Sequence, residues 1–262
     1  MRLSLRTECT LSHKRTGLPR VLLTNDDGID APGLLTLESA LRKVADVYVV
    51  APDGNRSAVS NHITMHKPLA LKKCGEKRYA LEGYPIDCVI AAMHSNLFDF
   101  AFDAVVSGIN KGANLGTDII YSGTAAAARQ SVLYGLPGIA VSLESYDGSW
   151  TFAPLADFTA KNLTALMAFG TKDSFVNVNA ASRESYTEIA TTTLSRRDYL
   201  DRVEIMTAPD GKTYGFFSGG NIQTAGPVGN DFEAVKSGKI SVSLVIAEPV
   251  LERTDRDIRF AL

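Results

Sequence analysis

The feature that most restricts how this chain can fold is a repeated alternation, between residues 20 and 178, of short apolar runs with apolar residues at helical spacing. Val21, Leu22 and Leu23 form a run closed by Asn25-Asp26-Asp27-Gly28, which predicts a buried strand ending in a turn. Leu34, Leu37, Leu41 and Val44 then recur three or four residues apart behind Pro32 and Gly33, predicting a helix. Residues 47–50 supply a second strand, closed by Pro52-Asp53-Gly54. The order repeats with a helix over 85–97, a strand at 104–107, a helix over 123–134 and a strand at 139–142. A helix through Leu155, Phe158, Leu163 and Leu166 then leads to a strand at 175–178. Units alternating in this way predict an α/β fold, a mostly parallel sheet covered by helices on both faces.

Residues 60–84 interrupt the pattern. Ile63-Thr64-Met65 and Arg78-Tyr79-Ala80-Leu81 read as two strands joined by the charged stretch 72–77, so an inserted β-hairpin is expected there. Beyond about residue 180 the alternation fades into short strand-like runs at 186–193, 213–217 and 240–246, read as antiparallel arms. The expected organisation is an extension at 1–19, a catalytic core at 20–180, and arms with an oligomerisation role at 181–262 that complete the same domain.

Of the 262 residues, 45% are apolar and 21% charged, which is ordinary globular usage and excludes a disordered chain. A net charge of -2 gives no broad positive field, so large nucleic acids are not expected as the main ligand. Cys9, Cys74 and Cys88 form neither a disulfide framework nor a metal motif, which points to a reducing cytoplasm. No run reaches the ~18 apolar residues of a membrane span. Residues 1–18 carry Arg2, Arg6, Lys14 and Arg15 against Glu8 alone, a composition open to reading as a transit peptide or, as preferred here, an unstructured extension.

Ligands of open α/β sheets bind beyond the carboxyl ends of the strands, which draws attention to four polar segments: 25–28, 55–57, 107–110 and 121–124. Adjacent carboxylates such as Asp26 and Asp27 repel unless a divalent cation compensates them, and oxygen donors suit Mg²⁺, Mn²⁺ or Ca²⁺. Asp is also a common helix cap, and on the pair alone the two readings stand level. Ser122-Gly123-Thr124 opens an alanine-rich helix, whose N-terminus favours an anion or is simply capped. Asn110 and Asn114 lie in a glycine-rich loop and either bind a ligand or brace turns. His62 and His66, placed on a strand, read as structural or rim residues rather than ligands.

In combination these segments are more specific. TNDDGIDAPG (24–33), VVAPDGNRSA (49–58), VVSGINKGANLGTDIIYSGTAAAA (105–128) and GLPGIAVS (135–142) resemble, in order and spacing, the SurE family, the survival-protein-E 5'/3'-nucleotidases. A fainter echo runs through Gly229-Asn230-Asp231-Phe232 and Ile240-Ser241-Val242. The resemblance implies a Rossmann-like three-layer core and divalent-metal-dependent hydrolysis of nucleoside monophosphates. It places the metal ligands on Asp26, Asp27, Ser57 and Asn110, and the phosphate-contacting loop on Ser122, Gly123 and Thr124. It also implies homodimers or homotetramers that exchange C-terminal arms. Ala58 departs from the pattern, standing where the family usually has Gly, and the N-terminal extension has no counterpart in it.

On this reading Asp26 is the general base or water-orienting group, Asp27 chiefly a ligand, and Asn110 both a ligand and a donor to phosphate. Two alternatives stay open. A haloacid-dehalogenase-type phosphatase also places acids after its first strand, although Asp26-Asp27-Gly28 lacks that class's aspartate pair separated by one residue. A non-catalytic nucleotide- or metal-binding regulator could use the same loops.

Overall fold

A computed structural model of the chain describes residues 17–250, so the proposed extension lies almost wholly outside the described residues. In chain order the elements are β1 (Arg20–Thr24), α1 (Pro32–Leu41), β2 (Asp46–Pro52), β3 (Leu71–Gly75), β4 (Arg78–Leu81) and α2 (Pro85–His94). Next come β5 (Ala104–Lys111), a 3-10 helix (Gly116–Ile120), α3 (Gly123–Leu133), β6 (Gly138–Glu144), α4 (Ala153–Lys161), α5 (Leu163–Phe169) and β7 (Ser174–Ala181). The remainder holds β8 (Ile189–Thr191), β9 (Arg196–Tyr199), β10 (Arg202–Thr207), β11 (Thr213–Ser218), β12 (Ile222–Ala225), α6 (Asp231–Lys236) and β13 (Ile240–Ile246).

A nine-stranded sheet in the order β3-β4-β2-β1-β5-β6-β7-β13-β8 forms the centre. The strands from β4 to β7 run parallel, and β3 and β13 are antiparallel to β4 and β7. Successive strand residues point to opposite faces, and the apolar runs exploit both. Val21 and Leu23 of β1 and Val47 and Val49 of β2 join the core beneath α1, α4 and α5. Leu22, Tyr48 and Val50 point the other way, toward Cys88 and Val89 of α2 and Ala127 of α3. The layers are therefore helix, sheet, helix, as the alternation predicts.

The boundaries differ in four places. The helix expected over 85–97 ends at His94. The expected helix through Leu155 and Leu166 is two helices divided at Asn162, whose side-chain amide donates to the Phe158 carbonyl at 2.8 Å. Such local side-chain bonds compete with helix continuation. Val44, grouped with the first helix by spacing, falls in the turn after it. The hairpin is present, but its first strand is Leu71–Gly75 rather than Ile63-Thr64-Met65. Asp87, in the first turn of α2, accepts from Thr64 N at 2.8 Å and Thr64 Oγ1 at 2.7 Å. That segment is thereby pinned to a helix end, which leaves Ile63 and Met65 exposed. The lysine-rich stretch read as a connector instead forms most of the edge strand, where charge discourages pairing with other chains. His62 and His66 consequently lie on no strand, and the His62 ring packs on Tyr84 with centroids 4.0 Å apart.

The hairpin is also tied to the core. Arg78 of β4 pairs with buried Glu38 of α1, which accepts from Arg42 as well, and Arg78 donates to the Ile29 carbonyl at 3.0 Å. Toward the C-terminus, β10 and β11 form an exposed antiparallel hairpin, and β9 pairs with β12. Residues 240–246, read as part of the arms, return to the main sheet as β13 between β7 and β8. Ile240 and Val242 draw them back, since both are buried in the core.

Candidate active site

Beyond the carboxyl end of β1, Asn25 closes a tight turn: its Nδ2 donates to the Gly28 carbonyl at 2.9 Å and its Oδ1 accepts from Gly28 N at 3.1 Å. Gly28 has φ +108°, and a Cβ there would lie 3.0 Å from the Gly54 carbonyl carbon, so only glycine lets this turn meet the one after β2. The Asp26 carbonyl accepts from Arg56 N at 2.6 Å, which brings the 55–57 loop alongside. Both the amide and the hydroxyl of Ser57 donate to Asn55 Oδ1, at 2.8 and 2.6 Å. The lone pairs of the Ser57 hydroxyl thus stay available to a cation.

Neither aspartate caps α1, whose N-cap is Ala31 with no side-chain bond. Asp26 reaches instead to the N-terminus of α3, where it accepts from Thr124 Oγ1 at 2.6 Å and Thr124 N at 3.2 Å. A Cβ on Gly123 would stand 3.0 Å from Asp26 Cβ and Oδ2, so glycine admits this close approach. Asp27 accepts from Lys111 N at 3.0 Å. Asn110 follows an irregularity in the pairing of β5 with β6 and donates its Nδ2 to the Gly112 carbonyl at 2.8 Å. Its Oδ1 is left as an acceptor.

Asp26, Ser57, Asn110 and Ser122 line one cavity of 260 Å³ together with Lys111, Asn114, Asp118, Tyr121 and Tyr199. Asp27, Gly123 and Thr124 are not among its lining residues. Thr124, expected at the phosphate, gives both its amide and its hydroxyl to Asp26 in this geometry. Asn114 is a brace: buried, it donates to Ser142 Oγ at 2.8 Å and its backbone accepts from Asn177 and Asn179. Size does not single the cavity out, since one of 530 Å³ beside α4 holds none of these residues.

Burial raises the Asp26 carboxyl from the ordinary 3.8 to about 6, against the lowering effect of the Thr124 hydroxyl and with the Asp27 charge adding to the rise. Asp27 is also raised, by burial, with the Lys111 amide opposing. Among the described residues no three His, Cys, Asp or Glu side chains gather as a metal cluster. A cation here would draw on Asp26 and Asp27 plus the neutral oxygens of Ser57 and Asn110. That set fits a hard cation rather than a thiophilic one.

Sequence reasoning overlooked Asp118 and Tyr199. Tyr199 of β9 donates to Asp118 Oδ1 at 2.6 Å, and Arg197 Nε lies 3.1 Å from Asp118 Oδ2. Asp118 falls within the string that carries the resemblance and was open to notice as a third acid there. Nothing near Tyr199 in sequence signals its place beside Asp118.

Fold and site together define a doubly wound α/β protein with an oxygen-lined cavity beyond the carboxyl ends of its strands, where ligands of such sheets bind. Residues 21–201 match the family described as survival protein SurE, and the chain belongs to that family. It is 40% identical over 227 residues to the 5'-nucleotidase SurE of Geotalea daltonii, an alignment covering 86% of this chain and 91% of that protein. Against the 5'-nucleotidase SurE of Geobacter sulfurreducens the identity is 41%, covering 85% and 86%. The crystal structure of the SurE protein from Aquifex aeolicus superposes with a TM-score of 0.77 at 33% identity, covering 88% of this chain and 95% of that one.

Proposed function

We propose that this chain is a 5'-nucleotidase, a phosphoric monoester hydrolase that releases phosphate from nucleoside 5'-monophosphates, with 3'-monophosphates as a further substrate class. The observation that carries the reading is the meeting of Asp26, Ser57, Asn110 and Ser122 at one cavity beside the N-terminus of α3. Nucleotidase activity is also what the names of its relatives state.

Asp26, Asp27, Ser57 and Asn110 would hold a divalent cation, Mg²⁺ or Mn²⁺, with Ca²⁺ able to take the same oxygens. When bound, the cation supplies Lewis acidity toward the phosphoryl oxygens and toward water. The chain's own residues do the rest. Ser122 Oγ accepts from Ala125 N at 3.0 Å, so its proton is free for a phosphate oxygen. With the Thr124 and Ala125 amides engaged, the Gly123 amide is the first-turn donor left to meet phosphate, assisted by the helix dipole. The second N–H of Asn110 can reach another phosphate oxygen. Asp26 orients the attacking water and takes its proton.

Both Asp26 oxygens accept from Thr124, and the residue is 3% exposed, which suits a held base better than the phosphorylated nucleophile of the dehalogenase-type alternative. Phosphate release from a panel of nucleoside monophosphates with Mn²⁺ or Mg²⁺ tests the proposal. Turnover that stops with a chelator and returns with metal is expected. No release at all would favour the non-catalytic regulator.

No helix among the described residues is long and apolar enough to cross a membrane. Val203, Ile205, Met206, Tyr214, Phe216 and Phe217 are exposed on the β10–β11 hairpin, and a lone two-stranded hairpin is only marginally stable. A second copy of the chain covering it, in a homodimer or homotetramer, accounts for that apolar surface. Free thiols at Cys74 and Cys88 agree with a cytoplasmic setting.

A further inference from the structure

Tyr121 and Tyr199 line two cavities. One is the 260 Å³ cavity at Asp26 and Ser122; the other, of 590 Å³, is bounded by Thr117, Ile120, Arg196, Arg197, Asp198 and Asp201. Because the cavities share these two rings, an ester whose phosphate occupies the smaller one can extend past the tyrosines into the larger.

The rings are open to contact, Tyr199 being anchored through its hydroxyl and Tyr121 secured through its backbone. Tyr121 is 59% exposed and Tyr199 41%. The Tyr199 hydroxyl is anchored on Asp118, while the Tyr121 backbone bonds to the Asp118 carbonyl and accepts from Ser60 N, both at 2.9 Å. Fixed aromatic faces give contact area with little ordering cost. The base of β9 is also secured, because Thr117 Oγ1 donates to the Arg197 carbonyl and accepts from the Arg197 amide.

Charge on the larger cavity narrows what it can take. Arg196 pairs with Asp198 at 3.1 Å and Arg197 with Asp118 at 3.1 Å, and Asp201 adds a further negative group. The guanidiniums are therefore already neutralised, so the groove does not favour a second phosphate or a polyphosphate tail. A flat, uncharged group with a polar edge fits an aromatic wall with polar neighbours.

We infer, resting on the nucleotidase reading above, that this groove receives the nucleobase of the substrate. Tyr121 and Tyr199 are the stacking residues that favour nucleotides over other phosphate esters.

The test compares kcat/KM for adenosine 5'-monophosphate and for ribose 5-phosphate, which keeps the sugar and phosphate but lacks the base, both with Mn²⁺. The parent should prefer the nucleotide. Tyr121→Ala and Tyr199→Ala should each lower the ratio of the two values by about 10-fold, through KM for the nucleotide, in line with aromatic stacking on a base. Tyr199→Phe retains the ring and should hold the ratio within about twofold, which separates stacking from a general loss of structure. An unchanged ratio in both alanine variants would overturn the inference and leave the nucleotidase reading standing, as would a parent indifferent to the base. A parent that hydrolyses neither ester would overturn the nucleotidase reading itself, and the inference with it.

Discussion

Thr124 gives both its amide and its hydroxyl to the carboxylate of Asp26, joining the start of α3 to the end of β1 across 98 residues of sequence. The aspartate proposed as the base is thereby aimed by a helix terminus rather than by its own loop. Thr124→Val keeps the shape and removes the hydroxyl. A hydrogen bond to a charged group contributes about 1.5–3 kcal/mol, so kcat should fall about 10- to 100-fold and metal should bind more weakly. Steady-state kinetics over a Mn²⁺ titration measures both, and full activity at low Mn²⁺ would count against the role given to Thr124.

Asp26→Asn should lower kcat at least about 100-fold, the lower range for loss of a general base, while circular dichroism stays that of the parent. Retained turnover at saturating Mn²⁺ would remove Asp26 from the chemistry.

The raised carboxyl of Asp26 also makes a statement about stability. With its value at about 6 in the metal-free chain against 3.8 in the ordinary range, the native state holds a proton that the unfolded chain has released between about pH 4 and 6. The stability from this group is fully present below the lower value and is lost as pH rises through the upper one, a swing on the order of 3 kcal/mol. In chelator-treated protein the Asp26→Asn variant should therefore gain on the parent as pH climbs from 4 to 7, read as a widening difference in thermal midpoint. A constant difference would contradict it.

Ala58 stands at φ +56°, a left-handed conformation that costs a residue with a Cβ about 1–2 kcal/mol. It is exposed, so glycine there empties no core. Ala58→Gly should stabilise the protein by about 0.5–1 kcal/mol once the added freedom of the unfolded chain is counted, raising the midpoint by about 1–4 °C. A lower midpoint would mean that the loop leaves this conformation in solution.

Glu38 is 7% exposed and serves Arg78 and Arg42 together. Glu38→Ala leaves Arg78 without its partner and should destabilise by about 3–5 kcal/mol in urea melts. A loss below about 1 kcal/mol would show that water enters to replace the carboxylate.

The strands of the core were legible because Val21, Leu22 and Leu23, and the runs like them, are buried on both faces and leave no alternation to misread. Arg78–Leu81 was legible for the same reason, as its last two residues are buried. Ile63-Thr64-Met65 has equal strand character but is captured by Asp87, a partner 23 residues away, which local pattern does not encode. At the site, the residue types after each strand revealed where chemistry could occur. The hidden part was which neighbour each side chain faces: Thr124 bonds to Asp26 across 98 residues of sequence, and Tyr199 meets Asp118 because β9 lies against the 3-10 helix.

The position of β13 bears on the order in which the molecule can be completed. Asp26, Ser57, Asn110 and α3 have all been synthesised by residue 133, and β1, β2, β5 and β6 can pair without help from later segments. β8, by contrast, has β13 as its neighbour and must wait for residues 240–246 before it joins the sheet. Until then everything from β8 through α6, the exposed hairpin included, is an open strand rather than a closed loop. The half that carries the candidate site can thus be shaped on the ribosome before the arm, which is fastened at its far end only once β13 has been made.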